Sequence, residues 1–163
     1  MNIKIREFQP DDVSFLWDML YESIHFSEEV KPAQEVLLKD SNINKYLRNW
    51  GLTDDHALIA INDNNQRIGA VWIRKFPSDD HGYGYIDKDT PEIGIAILPL
   101  YQSKGVGKIL LQKMIVLARS LGYPALSLSV DPMNQVAISL YEKFGFKKHW
   151  KDTGGSWTMK KDL

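Results

Sequence analysis

Cysteine is absent from the 163 residues. Its absence excludes disulfides, thiolate metal sites and a cysteine nucleophile, and the fold needs no oxidising compartment. An excess of either charge is also lacking, since 20 basic side chains stand against 21 acidic ones for a formal net charge of −1. A dedicated nucleic-acid binder carries a basic face that lifts the pI, which here is about 6.4, so nucleic acid is not an expected partner. No apolar stretch approaches the ~20 residues needed to span a bilayer. Met1 to Phe8 reads as an alternating strand, with Ile3, Ile5 and Phe8 among Lys4, Arg6 and Glu7, and not as a signal peptide. The expectation is a cytoplasmic chain with no membrane partner. Histidine is sparse, and His25, His56, His81 and His149 have no spacing that pairs them on a helix or strand, so no metal site is expected.

What is present suits one globular domain over residues 1–163. The chain is 44% hydrophobic, enough for a core and too much for a disordered segment. Pro10-Asp11-Asp12 signals a turn and cap, after which Val13, Leu16, Trp17, Leu20 and Ile24 recur at helical spacing. A more broken helical region runs from about Pro32 to Trp50, closed by Gly51. His56 to Ile61 and Ile68 to Phe76 are β-rich and joined by Asn62-Asp63-Asn64-Asn65, a hairpin signal. Pro77 to Thr90 is loop-like. Glu92 to Leu98 reads as a buried strand, Gly105 to Leu121 as a helix with Val106, Leu110, Met114, Leu117 and Leu121 on one stripe, and Ala125 to Val130 as a strand. Asn134 to Phe144 reads as a helix with Ala137, Leu140, Tyr141 and Phe144 inward, and Phe146 to Trp150 and Ser156 to Lys160 as closing strands. The order β-α-α-β-β-β-α-β-α-β-β predicts a mixed α/β domain.

The stretch richest in chemistry is Glu92 to Gly107, a strand and turn running through Gln102-Ser103-Lys104-Gly105-Val106-Gly107 into a helix. Glycines at the turn allow close backbone approach, and the new helix offers unpaired N–H groups at the positive end of its dipole, so an anion would be cradled there. Lys104 and Lys108 add charge, and no acidic residue occurs between Leu98 and Leu117. A Walker loop fails because Lys108 is followed by Ile109, and a dinucleotide fingerprint fails because Leu110 stands where a third glycine belongs. A plain strand-to-helix turn is the alternative use of the same glycines.

Here the sequence resembles the GNAT superfamily of N-acetyltransferases. Gln102-x-x-Gly105-x-Gly107, preceded by a strand and Pro99-x-Tyr101, is similar to its acetyl-CoA signature, and Asn134-x-x-Ala137-x-x-Leu140-Tyr141-x-x-x-Gly145-Phe146 is similar to its second motif. The resemblance implies an α/β (α+β) fold: a mixed, mostly antiparallel twisted sheet with a central splayed strand pair, flanked by about four helices. It implies an acyl-CoA cleft where the Glu92–Leu98 strand parts from the Ala125–Val130 strand. Backbone groups among Ile95, Ala96, Ile97 and Leu98 would meet the pantetheine arm, with Ile95 and Ile97 the leading pair. The pyrophosphate would sit on Gln102, Ser103, Lys104, Gly105, Val106 and Gly107, with Lys108 beyond, and Asn134 would face the pantetheine. The partners implied are acetyl-CoA as co-substrate, an amine acceptor and, as dimers are common in such families, a homodimer.

The reaction implied is direct transfer of acetyl from acetyl-CoA to a primary amine of a small molecule, peptide or protein. A Lys-like amine has a pKa near ~10.4, so a base helps; Glu92, opening the strand, is the candidate, against a solvated strand-end glutamate. Tyr141 is the candidate acid and a further cofactor contact, against a core tyrosine. The N–H of Ile97 or Leu98 is the candidate oxyanion donor. For the acceptor, Asp79, Asp80, Asp87 and Asp89 with Tyr83 and Tyr85 form either a solvated loop, the first reading, or an acidic rim for a cationic amine. Gly82-x-Gly84 carries no signal, nothing chooses between His25 and His81 as lining residues, and Trp17, Tyr21 and Trp50 either wall the acceptor site or, as the default reading, pack the helices on the sheet. The functional alternative is a degenerate acyl-CoA-binding or sensing module without turnover.

Overall fold

The computed structural model describes residues 1–26 and 30–163. Seven strands form one sheet: β1 (Lys4–Glu7), β2 (His56–Ile61), β3 (Arg67–Arg74), β4 (Glu92–Ile97), β5 (Ala125–Val130), β6 (Lys147–Lys151) and β7 (Trp157–Asp162). Their spatial order is β1-β2-β3-β4-β5-β7-β6. Every neighbouring pair is antiparallel except β4 and β5, which run parallel. The helices are α1 (Val13–Ser23), α2 (Gln34–Leu37), α3 (Ser41–Asn44), α4 (Val106–Ser120) and α5 (Gln135–Lys143), with single 3-10 turns at Pro10–Asp12 and Pro99–Tyr101.

Alternation along the strands builds two cores. On one face Val71, Ile73, Ile93, Leu126 and Leu128 pack against α4 and α5. On the other, Ile59, Ala70, Trp72 and Ala96 pack against Leu16, Met19 and Leu20 of α1 and against Leu47. Helix α4 buries Val106, Leu110, Leu111, Met114, Ile115 and Ala118. Leu121, expected on that stripe, is the C-cap and is 45% exposed. In α5 Tyr141 is buried as expected, and Ile138, which the inward set omitted, is buried beside it. The β2–β3 hairpin turns where Asn62 Oδ1 accepts the N–H groups of Asn64 and Gln66, each at 3.0 Å, with Asn65 at a φ of 59°.

The broken helical region 32–50 resolves into two four-residue helices and turns. What holds the last of these turns is not helical periodicity but Arg74 of β3. Its Nη1 donates to the carbonyls of Lys45 and Arg48, both at 2.8 Å, while Nε and Nη2 make a forked pair with Asp55 at 2.9 and 2.8 Å. Arg74 is 5% exposed, and such a buried guanidinium is tolerable only because so many of its donors are met.

Asp12 ties the first strand to α1. Its carboxylate, wholly enclosed, receives Arg6 at 2.7 and 2.9 Å, Arg67 at 3.2 Å and the Gln9 N–H at 2.8 Å. The bonds from Arg6 foremost hold its pKa down at about 2, despite the opposing effect of burial. A depressed carboxyl stabilises the fold above its ordinary pKa and loses that contribution as pH falls toward the folded value, here worth about 2 kcal/mol at neutral pH. Asp12→Asn is therefore expected to lose about 2 kcal/mol at pH 7 by urea denaturation, with the gap to wild type shrinking as pH is lowered from 4 toward 2.

Candidate active site

Strands β4 and β5 pair at one position, Glu92↔Ser127, with the Ser127 N–H donating to the Pro91 carbonyl at 3.0 Å. Beyond it they part, as the family resemblance implies. In the antiparallel ladder to β3, hydrogen-bonded and non-bonded pairs alternate. Leu98 N–H donates to Ile68 O at 2.9 Å, so the register Ala70↔Ala96 and Gly69↔Ile97 turns the backbone groups of Ala96 toward β3 and those of Ile95 and Ile97 toward the gap. Ile95 and Ile97 thus stand where they were expected. Ala96 and Leu98 do not offer N–H groups to the cleft, and Leu98 is corrected as an oxyanion donor because its N–H is already engaged. Ile97 is the candidate that remains.

The gap opens into a cavity of about 340 Å³ whose wall includes Glu92, Ile95, Asn134 and Tyr141. Four of the expected site residues therefore meet there. Asn134 Oδ1 caps α5 by accepting the Ala137 N–H at 3.3 Å, which leaves its amide nitrogen for the cavity. Tyr141 is 8% exposed, its hydroxyl makes no hydrogen bond among the described residues, and burial raises that hydroxyl to about 12. It is a protonated phenol at any physiological pH, with its proton uncommitted.

The segment Gln102–Lys108 lies outside that cavity, at the end of the cleft past Ile97. Gly105 caps α4 with a φ of 84°, a left-handed conformation that glycine adopts without strain, and the first amides of α4 follow. A Cβ on Gly107 would rest 3.6 Å from Leu140 and 3.9 Å from Ile97, so the helix start faces the cleft between β4 and α5. Gln102 Nε2 donates to the cleft-facing carbonyl of Ile97 at 3.1 Å. Ser103 has a φ of 60°, and Lys104 and Lys108 are exposed.

Glu92 is not a solvated strand end. It is 4% exposed, and desolvation raises its carboxyl to about 7 against the pull of the Tyr46 hydroxyl, the Gly84 amide and Lys45. Tyr46 donates to Oε2, and its oxygen accepts the Tyr83 N–H at 2.7 Å. Oε1 has no hydrogen-bond partner among the described residues. Tyr46, itself pushed well above the ordinary tyrosine value by burial, is a site residue that sequence reasoning missed. It lies in the turn held by Arg74, whose cross-strand neighbour is Glu92.

The loop over 77–90 is largely exposed, as the first reading expects, and its acids do not form a rim to the cavity. Asp80 binds Lys45 at 2.9 Å and Arg48 at 3.2 Å, and Lys45 also donates to the His81 carbonyl at 2.9 Å. Asp87 accepts the N–H groups of Asp89 and Thr90, each at 2.9 Å. Asp79, Asp80, Asp87 and Asp89 are absent from the cavity wall, whereas Tyr83 is part of it. The pair Gly82-x-Gly84, given no weight in the sequence, is a steric requirement. A Cβ on Gly82 would lie 2.4 Å from Glu92 Oε1 and 2.5 Å from the Tyr46 hydroxyl, and one on Gly84 would lie 2.5 Å from the Leu128 backbone. Of the histidines, His25 lines the cavity and bonds Asp131 at 3.1 Å, while His81 stacks on Tyr85. Trp17 and Trp50 flank the second core, and the Tyr21 hydroxyl donates to Pro32 O at 2.7 Å, so all three are packing residues.

Three comparisons bear on this geometry. The Acetyltransferase (GNAT) family model matches residues 17–146. A mycothiol acetyltransferase from Propionibacterium freudenreichii is 24% identical over 93% of this chain and 45% of its own length, so the chain spans less than half of that relative. The uncharacterized N-acetyltransferase YycN of Bacillus subtilis is 29% identical over 91% of this chain and 94% of its own. The crystal structure of the PaiA N-acetyltransferase from Thermoplasma acidophilum in complex with coenzyme A is 26% identical, with a TM-score of 0.68 and full coverage of both chains. Among the described residues no helix is long and apolar enough to cross a membrane.

Because the folded pKa of Glu92 is raised, the unfolded chain ionises first, so stability falls as pH rises from the ordinary value to about 7. The cost above that window is on the order of 3 kcal/mol. Glu92→Gln is expected to melt several degrees higher than wild type at pH 8 and to lose that advantage below pH 4.5, read by thermal denaturation across the range.

Proposed function

The chain belongs to the acetyltransferase (GNAT) family, and on that premise we propose that residues 1–163 act as one domain transferring acetyl from acetyl-CoA directly to a primary amine. The observation that carries the reading is the pairing, in one cavity, of a buried carboxyl raised to about 7 with a buried phenol that has no hydrogen-bond partner among the described residues. A degenerate binding module has no use for either.

The cleft suits an extended thioester cofactor. The backbone of Ile95 and Ile97 faces the gap, and the start of α4 offers amides at the positive end of its dipole with Lys104 and Lys108 beside them. Relatives solved with coenzyme A support the same ligand here. When bound, acetyl-CoA supplies an activated acetyl group and a thiolate leaving group. Glu92 accepts the proton of the incoming ammonium, directly or through water, so that a neutral nitrogen attacks. The Ile97 N–H, in a water-poor cleft, stabilises the negative charge growing on the carbonyl oxygen. As the new C–N bond forms and the C–S bond breaks, Tyr141 gives its proton to the departing sulfur, and the second proton shed by the new amide nitrogen restores the phenol. Cytoplasmic action and a homodimer are part of this reading.

A thiol-release assay over a panel of amines tests it. Wild-type kcat is expected to rise with pH and level off above about 7, and Glu92→Gln to lose that limb together with about 10²-fold or more in kcat. Tyr141→Phe is expected to lower kcat about 10²-fold with little change in KM for acetyl-CoA. Unaltered kcat in both variants would refute the assignment. Gly107→Asp, which has room for its Cβ, is expected to fold as wild type and to abolish the thermal shift given by CoA.

A further inference from the structure

We propose that Tyr46 is a catalytic residue, its hydroxyl receiving a proton from the acceptor amine while handing its own to Glu92. The inference rests on the acetyltransferase reading. Of the paths by which the proton could reach the carboxylate, it names this hydroxyl in place of direct contact or water.

The two oxygens of Glu92 are differently closed. Oε1 is fully enclosed, with Gly82 packed so closely over it that a Cβ there would collide. Oε2 already accepts the Tyr46 hydroxyl. Tyr46, by contrast, is half-buried and forms part of the cavity wall. Three contacts fix where its hydroxyl stands. The ring packs edge-on against Phe76, with centroids 5.2 Å apart. The backbone belongs to the turn whose carbonyls Arg74 holds at 2.8 Å. The oxygen accepts the Tyr83 N–H at 2.7 Å, the one donor it meets among the described residues. A hydroxyl oxygen has two lone pairs, so one acceptor position remains for a donor that enters the cavity. The neighbouring cations are committed elsewhere, Lys45 to the His81 carbonyl and Asp80, and Arg74 to Asp55 and the turn.

The step moves two protons and balances. An N–H bond of the incoming ammonium breaks as an O–H bond forms on Tyr46. The original Tyr46 O–H bond breaks as a new one forms on Glu92 Oε2. The nitrogen is left neutral with its lone pair, Tyr46 is again a phenol, and Glu92 is a neutral acid. Neither halfway state is tolerable, so the two transfers are concerted. Burial pushes the Tyr46 hydroxyl well above the ordinary tyrosine value, so it does not ionise ahead of the amine. A doubly protonated phenol, the other halfway state, is a far stronger acid than any ammonium. Tyr46 therefore serves as a conduit, and Glu92 remains the base.

The test is a proton inventory, with kcat for transfer to a slowly reacting primary amine measured in mixtures of H2O and D2O. Wild type is expected to give a curved inventory, the mark of more than one proton in flight. Tyr46→Phe is expected to give a straight one, with kcat about 10²-fold lower and KM for acetyl-CoA little changed. The thermal shift given by CoA checks that the variant is folded. Because Tyr46 and Glu92 act as one unit, the double variant Tyr46→Phe/Glu92→Gln is expected to lose no more kcat than Glu92→Gln alone. A tyrosine that only supports the structure would add its own loss. A straight inventory in wild type overturns the relay without recourse to any variant. So does an unchanged kcat in Tyr46→Phe, a curvature that persists in that variant, or losses that add in the double variant. Any of these, with Glu92→Gln still slow, leaves the acetyltransferase reading standing. No transfer by wild type to any amine defeats that reading and the relay with it.

Discussion

A parallel strand pair that touches at one residue on each side and then separates is the constraint on which this molecule turns. Strands β4 and β5 meet at Glu92 and Ser127. Past that point the sheet leaves backbone donors and acceptors of a central strand without a neighbour. Unpaired peptide groups in a dry interior are expensive, and the fold keeps them because the gap is open and because Gln102 meets one carbonyl from outside. An extended ligand with amide groups of its own completes such a ladder as an added strand would. The two cores on either side of the sheet hold the splayed edges apart.

The single bridge also sets the floor of the cavity. Glu92 sits at the vertex, closed over by a loop and by a turn that belongs to neither β4 nor β5. Arg74 holds the Lys45–Arg48 turn, the turn holds Tyr46, and Tyr46 binds both the carboxylate and the Tyr83 amide. Desolvation and hydrogen bonding act on Glu92 in opposite directions. Burial wins, so the carboxyl takes and releases a proton near neutrality. The proposed acid and base are both shaped by enclosure: a tyrosine kept protonated and a glutamate made basic.

Local signals were readable in the sequence and distant ones were not. The Ala125–Val130 strand and the Asn62–Asn65 turn need only alternation and turn chemistry, and the Gly105-x-Gly107 segment needs only its neighbours, so their places follow from short windows. Glu92 stood out as a strand-opening carboxylate, but its burial depends on Tyr46 and on Gly82, residues that no period links to it. The stretch 32–50 lacks a helical stripe because a buried arginine from β3 satisfies its carbonyls. Likewise the acidic residues of the loop look free in the sequence, and the lysine and arginine that engage Asp80 lie more than thirty positions earlier. His25 and Asp131 come together from opposite ends of the chain.

Surface loops ordinarily absorb insertions and so let a family explore new substrates. The loop over 77–90 does not have that freedom. Gly82 is pressed against the glutamate and Gly84 against the backbone of β5, so its length is set at two points. Drift in acceptor preference must then be carried by the rest of the cavity wall, to which Leu20, Ile24 and His25 contribute. One side of the cavity is a fixed anvil for chemistry, and the other is the side on which selection can rewrite the guest.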